Sequence, residues 1–153
     1  MIKKLTLPLP ASELIPHRKT MLLVEKLLSY NPLVGAGTVL AGTKSGSVFV
    51  GGDEKGEGAL FEEVVLLEMM AQAYACLRGY EDRLAGRPSG MGFLVGVRRF
   101  NCYRRVGVSE EIKIEVATTN QINTFFIAGA VVKVSFETVA EAELKIWLPP
   151  EGE

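Results

Sequence analysis

The sequence predicts an α+β fold in which an antiparallel sheet wraps around one long central helix. Three observations lead to this prediction. Residues 62–78 read as one helix that is apolar on almost every face, the segments after it alternate apolar and polar residues as strands do, and short turn signals separate those segments. A helix that is apolar all round must be enclosed, and a curved sheet can enclose it. The 153 residues suit a single domain covering residues 1–153.

The predicted helix has charged residues at both ends. Glu62 and Glu63 lie in its first turn, where carboxylates suit the positive end of the helix dipole, and Arg78 suits the other end. Gly79 follows and is the expected residue just past the helix end. Nearly all positions from 64 to 77 are apolar, which indicates that the rest of the chain covers this helix.

Strand patterns surround the helix in sequence. Two short ones are expected before it, and four longer ones follow it, with turns at 107–110, 120–123 and 139–140. The glycine-rich segment 51–58 is expected to be an exposed loop. The predicted strands are 34–40, 47–50, 93–105, 112–117, 125–136 and 142–148. A long helix wrapped by such a sheet is the hotdog arrangement.

The composition excludes several classes of function. A net charge of −1 gives no general attraction to nucleic acid. Cys76 and Cys102 lie far apart without metal-type spacing, so we expect reduced thiols rather than a disulfide framework. His17 is the only histidine, which excludes a multi-histidine metal site. With no signal peptide and no apolar stretch long enough to span a bilayer, we expect a cytoplasmic protein without membrane insertion.

Glu68 is the most informative position for chemistry. It lies among apolar neighbours, where a carboxylate is costly unless it is paired or protonated, and burial raises the pKa of a carboxyl towards the range useful for a general acid. Gln72 lies one helical turn later on the same face. The two side chains indicate a polar stripe that lines a cavity. The alternative is a buried glutamate that pairs with an arginine and only holds the fold.

Two further features have both a functional and a structural interpretation. His17 follows Pro16 and precedes an apolar run; a histidine is the natural base at neutral pH, although a lone histidine is more often an ordinary surface residue. The arginines between 98 and 105 favour docking of an acidic partner or a pantetheine phosphate, although such a run is usually a solvated strand edge. Strand alternation prevents all of them from contacting one ligand.

Two segments of the chain resemble the 3-hydroxyacyl-[acyl carrier protein] dehydratase family. Residues 15–25, Ile-Pro-His-Arg-Lys-Thr-Met-Leu-Leu-Val-Glu, are similar to its N-terminal Leu-Pro-His-Arg-x-Pro-hydrophobic run. Residues 66–73, Leu-Leu-Glu-Met-Met-Ala-Gln-Ala, are similar to its central-helix Glu-Ala-Met-Ala-Gln motif. The weaker matches are at 92–100, 107–116 and 140–144. The resemblance covers most of the chain and implies a hotdog fold.

The chain departs from the standard bacterial enzymes just before the helix. Those enzymes have a catalytic histidine in a Gly-His-Phe-Pro stretch, whereas residues 51–56 read Gly-Gly-Asp-Glu-Lys-Gly. The chain looks instead like the divergent branch of aryl-polyene-pathway dehydratases, with Thr20 where that branch has a proline. In such a branch His17 inherits the role of the missing histidine.

The resemblance implies dehydration of a 3-hydroxyacyl thioester, or the reverse hydration, in fatty-acid or polyene-type lipid synthesis. His17 is expected to act as base and Glu68 as acid, with Gln72 orienting Glu68. Backbone N–H groups near Phe61 and Val64 are expected to hold the thioester carbonyl, and Gly96, in the stretch 92–100, is expected to contact substrate.

The same resemblance implies an acyl carrier protein or coenzyme A thioester as partner and requires no cofactor. It also implies a homodimer in which His17 and Glu68 of one site come from opposite chains. A higher oligomer and a pairing with a second hotdog subunit are the alternatives. Two alternatives stay open. One is an acyl thioesterase in which Glu68 activates water, and the other is a non-catalytic subunit that binds acyl thioesters.

Overall fold

The computed structural model describes residues 5–18, 21–41, 50–51 and 60–150. Nine strands (β1–β9) and one long helix (α1) occur in these ranges, with a 3-10 turn at Ala11–Glu13. The bounds are β1 Leu9–Pro10, β2 Val24–Asn31, β3 Ala36–Ala41, β4 Val50–Gly51, β5 Leu60–Phe61, α1 Glu63–Leu84, β6 Phe93–Cys102, β7 Ile112–Ile122, β8 Phe125–Val134 and β9 Glu137–Trp147.

Seven of the strands form one antiparallel sheet in the order β1-β2-β3-β7-β8-β9-β6, and β4 pairs with β5 in a separate two-stranded ribbon. The inward side chains of β7, β8 and β9 alternate with outward ones and pack on α1 to form the core. The α+β prediction, with one long helix packed against a large antiparallel sheet, is confirmed. No helix in the described ranges is both long and apolar enough to cross a bilayer.

The helix runs past its predicted end at residue 78. Gly79 lies buried inside α1 instead of after it, and the helix ends at Leu84. A Cβ added at Gly79 would lie 2.4 Å from the carbonyl oxygen of Leu14. The glycine is therefore needed for the close approach of the 3-10 turn to the helix, and its identification as a helix end was wrong.

One face of α1 is left partly open by this chain. Val64 is 65% exposed, and Leu67, Glu68, Ala71 and Ala75 are only partly buried. The expectation of a helix covered on all sides is therefore wrong for a single chain. β6, the last strand in the sheet order, is also exposed on both faces.

Three other local predictions differ from the structure. The hairpin between β8 and β9 turns at Ser135 and Phe136, with φ values of 47° and 70°, so the turn predicted at 139–140 lies inside β9 and was wrong. β2 was not predicted. Register irregularities between Val24 and Lys26 and between Leu27 and Ser29 interrupt its alternation of apolar and polar residues. Most of the strand predicted at 47–50 and of the loop predicted at 51–58 lies outside the described residues.

Candidate active site

Glu68 and Gln72 form the polar centre of α1. They lie four residues apart, so one helical turn brings them together, and Gln72 Nε2 donates to Glu68 Oε1 at 3.0 Å. Glu68 is half-buried, whereas Gln72 is the one buried polar side chain among the described residues, at 1% exposure. Within those residues Glu68 Oε2 receives no hydrogen bond, so this oxygen is free for a bound molecule.

The amide of Gln72 also holds the segment that leads into β2. Its Oε1 accepts from the Leu23 backbone N–H at 2.8 Å, and its Nε2 donates to the Met21 carbonyl at 2.7 Å. These two bonds distinguish the oxygen of the amide from its nitrogen, because the N–H of Leu23 requires an acceptor. The NH₂ group is therefore directed to Glu68 by the backbone. Both amide ends are satisfied, as burial requires.

His17 and Glu68 line the same cavity. The cavity has a volume of about 600 Å³ and is bounded by the 3-10 turn and the following segment, by α1, and by the 89–94 and 146–148 segments. His17 is half-buried, and its buried Nδ1 has no hydrogen-bond partner among the described residues. A buried nitrogen of this kind is costly unless water or a bound molecule supplies the partner.

One chain therefore supplies both side chains to one cavity, whereas the resemblance implies that they come from opposite chains. The rest of the lining is mixed. Apolar groups come from Leu14, Ala71, Ala75, Leu94 and Leu148, and charged groups come from the segment before β2 and from α1. An acyl chain can pack against this lining, because an apolar lining with a few convergent polar groups is typical of small-molecule sites.

The structure does not bring the other expected site residues to this cavity. Phe61 is buried, and its N–H donates to the Val106 carbonyl at 2.9 Å. Val64 lies beside a separate cleft at the start of α1. Gly96 lies on β6 against Lys145. The N–H of Phe61 is thus already used within the fold, while Val64 stands one turn before Glu68 on the helix.

The arginines between 98 and 105 fall into two groups. Arg104 donates to the carboxylates of Glu110 and Glu137, the latter at 2.7 Å. Arg105 donates to the Phe61 carbonyl at 3.1 Å. These two guanidinium groups are therefore used within the fold. Arg98, whose side chain is 72% exposed and whose contact with a glutamate is long at 3.9 Å, remains available to a partner.

Several cavity residues were missed in the sequence although their spacing could have identified them. Arg78 and Asp82 follow Glu68, Ala71 and Ala75 at intervals of three and four residues, so they share one face of α1. Arg78 was assigned to the helix end only because Gly79 was taken as its terminus. Among the described residues no group of three or more histidine, cysteine or carboxylate side chains could hold a metal ion.

Comparison with protein families gives one match that covers almost the whole chain. The model of a family described as "ApeP-like: ApeP dehydratase" matches residues 9–153. A curated protein from Anaeromyxobacter sp. (strain K), the 3-hydroxyacyl-[acyl-carrier-protein] dehydratase FabZ, is 26% identical over 136 residues, which is 89% of this chain and 86% of that protein.

Solved structures share the fold. A chain from the dehydratase heterocomplex ApeI:P of Xenorhabdus doucetiae has a TM-score of 0.82 at 19% identity, with 95% of this chain and 94% of that chain covered. The uncharacterized protein PH1136 from Pyrococcus horikoshii has a TM-score of 0.60 at 12% identity, with 85% and 86% covered. At these identities the likeness establishes the hotdog fold.

Proposed function

Because the chain belongs to the ApeP-like dehydratase family, we propose that its cavity is where a 3-hydroxyacyl thioester loses water to give the trans-2-enoyl thioester. The observation that carries the proposal is the presence of His17 and Glu68 in one cavity lining, which offers a base and an acid to the same small molecule. The curated relative from Anaeromyxobacter, FabZ, is named a 3-hydroxyacyl-[acyl-carrier-protein] dehydratase.

In the proposed reaction, a ring nitrogen of His17 takes a proton from C2. The electrons of that C–H bond form the C2–C3 double bond, and the C3–O bond breaks as Glu68 gives its proton to the departing hydroxyl, which leaves as water. Glu68 Oε2 is the oxygen suited to this transfer, because Oε1 is held by Gln72. A final proton transfer from His17 to Glu68, direct or through water, restores both groups. The chemistry requires no cofactor.

Val64 also lies outside the cavity lining, so it is a candidate for holding the thioester carbonyl only where the substrate extends into the neighbouring cleft. It lies four residues before Glu68, about 6 Å along the helix axis, in the first turn, where N–H groups have no partner within the helix. Such N–H groups stabilise the negative charge that develops on the carbonyl oxygen when the proton leaves C2. Gly96 lies outside the cavity lining, so any contact it makes with substrate would be in a site completed by a second subunit.

We infer that β6 pairs with a second hotdog chain, either another copy or a different subunit. β6 is the last strand of the sheet order, so one edge of its backbone has no strand partner among the described residues. Its apolar side chains are exposed, with Val95 at 51% and Phe93 at 44%. The Xenorhabdus relative was solved as a heterocomplex. Val95→Lys is expected to reduce the mass measured by light scattering to that of a monomer. A wild-type chain that is already monomeric would contradict this inference.

An acyl carrier protein or coenzyme A is the proposed carrier of the substrate. The exposed Arg98 on β6 suits an acidic partner or a phosphate. Free thiols at Cys76 and Cys102 agree with a reducing compartment, and we place the protein in the cytoplasm. Burial raises the pKa of the Cys76 thiol to about 12, so this thiol is unreactive.

The test is turnover of 3-hydroxyacyl thioesters on acyl carrier protein and on coenzyme A. We expect the absorbance of the enoyl thioester to rise while no free thiol is released. Free thiol without enoyl product would instead identify a thioesterase. Binding without either product would identify a non-catalytic subunit. Asp82→Asn, which removes a carboxylate from the same lining but leaves Glu68 intact, serves as the matched control for Glu68→Gln.

A further inference from the structure

Arg78 places a positive charge in the cavity, at some distance from the reacting groups. It lies on the face of α1 that also presents Glu68, Ala71 and Ala75, and it contributes to the same lining. The ten residues from Glu68 to Arg78 correspond to about 15 Å along the helix axis. Nothing in the proposed dehydration uses a guanidinium at that distance.

The guanidinium of Arg78 has unused hydrogen-bond donors. Its side chain is 21% exposed, and its Nη1 is 3.5 Å from Glu81 Oε1, while the other oxygen of Glu81 accepts from the Tyr30 hydroxyl at 2.9 Å. Its carbon lies 4.3 Å from the centre of the Phe126 ring, which supports the group from one side. Arg78 Nε is buried and has no partner in the part of the chain that the structure describes.

The other arginines of the lining have backbone partners. Arg18 donates to the carbonyls of Ile15 and His17 at 2.9 and 2.8 Å, and Arg83 donates to the carbonyl of Glu13. An arginine has five N–H donors and cannot lose its charge, so a half-used guanidinium in a cavity is suited to an incoming acceptor. An alkyl group bound there would shield the guanidinium charge from water and would accept no hydrogen bond from it.

We propose that Arg78 binds an anionic or hydrogen-bond-accepting group of the thioester substrate, about 15 Å from Glu68. The inference rests on the proposed function, since it assumes a thioester near Glu68. Two parts of such a substrate can bring this chemistry. One is the phosphate of the pantetheine arm, on one side of the thioester, and the other is a polar end of the acyl chain, on the opposite side.

Two substrate pairs separate these sources. The first pair is a 3-hydroxyacyl pantetheine with and without its phosphate. The second pair is an unphosphorylated 3-hydroxyacyl pantetheine whose acyl chain ends in a carboxylate or in a methyl group. Dissociation constants from calorimetry and kcat/KM are measured for the full-length wild type, Arg78→Met and Arg87→Met. Arg87 is the control, because it pairs with Asp82 at 3.1 Å and lies outside the lining.

We expect wild type and Arg87→Met to prefer the anionic member of one pair. Arg78→Met is expected to reduce that preference by about 10- to 100-fold, as loss of a hydrogen bond to a charged group does. A reduction within the first pair assigns the phosphate, and a reduction within the second assigns the chain end. An unchanged preference in both pairs, or an equal loss for all four compounds, would overturn the proposal.

Two further results keep the inference separate from the proposed function. Arg78→Gln provides the same comparison if Arg78→Met does not fold, since it removes the charge but keeps a polar side chain. A binding preference that depends on Arg78, without turnover of any compound, would support the subsite and reject the dehydratase proposal. Turnover without any such preference would support the dehydratase proposal and reject the subsite.

Discussion

Replacing Gln72 with methionine tests how the polar centre holds the site together. Methionine keeps a similar volume and length, but all three hydrogen bonds of the amide disappear. The N–H of Leu23, which is 1% exposed, then stays buried without an acceptor. A buried donor left unpaired costs about 1–3 kcal/mol, and the other two bonds contribute about 0.5–1.5 kcal/mol each. We therefore expect Gln72→Met to lower the free energy of unfolding by about 2–6 kcal/mol.

Urea denaturation followed by tryptophan fluorescence measures this loss. For a loss of that size the midpoint is expected to fall by about 1–3 M, given the usual slopes for small domains. Gln121→Met is the matched control, because Gln121 is exposed on β7 and its side chain makes one long hydrogen bond of 3.3 Å. It should change stability by less than about 0.5 kcal/mol. Equal midpoints for Gln72→Met and Gln121→Met would refute the anchoring role of the amide.

Three further predictions concern the site, the helix and pH. Co-expressed His17→Ala and Glu68→Gln chains should regain no activity, whereas recovery to about a quarter of the wild-type rate would show that each site combines opposite chains. Gly79→Ala should lower the free energy of unfolding by about 1–3 kcal/mol, because its methyl group would lie 2.4 Å from a backbone oxygen; an unchanged melting temperature would contradict this. Arg104 holds the pKa of Glu110 below its ordinary value of 4.5, so this contribution to stability is present above that pH and is lost as the pH falls through the folded-state pKa. Glu110→Gln should flatten the fall of the urea midpoint below about pH 4.5, and an unchanged slope would contradict it.

The helix and its polar stripe could be predicted because they depend on local spacing. An apolar run of about four turns favours a helix packed against the rest of the protein, and Glu68 and Gln72 share a face whatever surrounds them. The helix end could not be predicted, because Gly79 serves a contact with Leu14, which is distant in sequence. A glycine needed for close packing and a glycine that ends a helix look the same in one sequence.

The hairpin turn and the cavity show the same limit. Ser135 and Phe136 adopt left-handed backbone conformations that usually select glycine or asparagine, so the turn carried no sequence signal. His17 lines the cavity together with residues of α1 that are distant in sequence, and no local pattern encodes such a contact. The family resemblance, rather than periodicity, identified His17 as a candidate base.

Turnover of a 3-hydroxyacyl carrier-protein thioester by wild type, His17→Ala and Glu68→Gln tests most directly whether this cavity is the catalytic site. Both variants are expected to fold, as judged by circular dichroism, and to lose at least about 10²-fold in kcat, the lower end for removal of a general acid or base. Wild-type rates in either folded variant would contradict the assignment of that side chain.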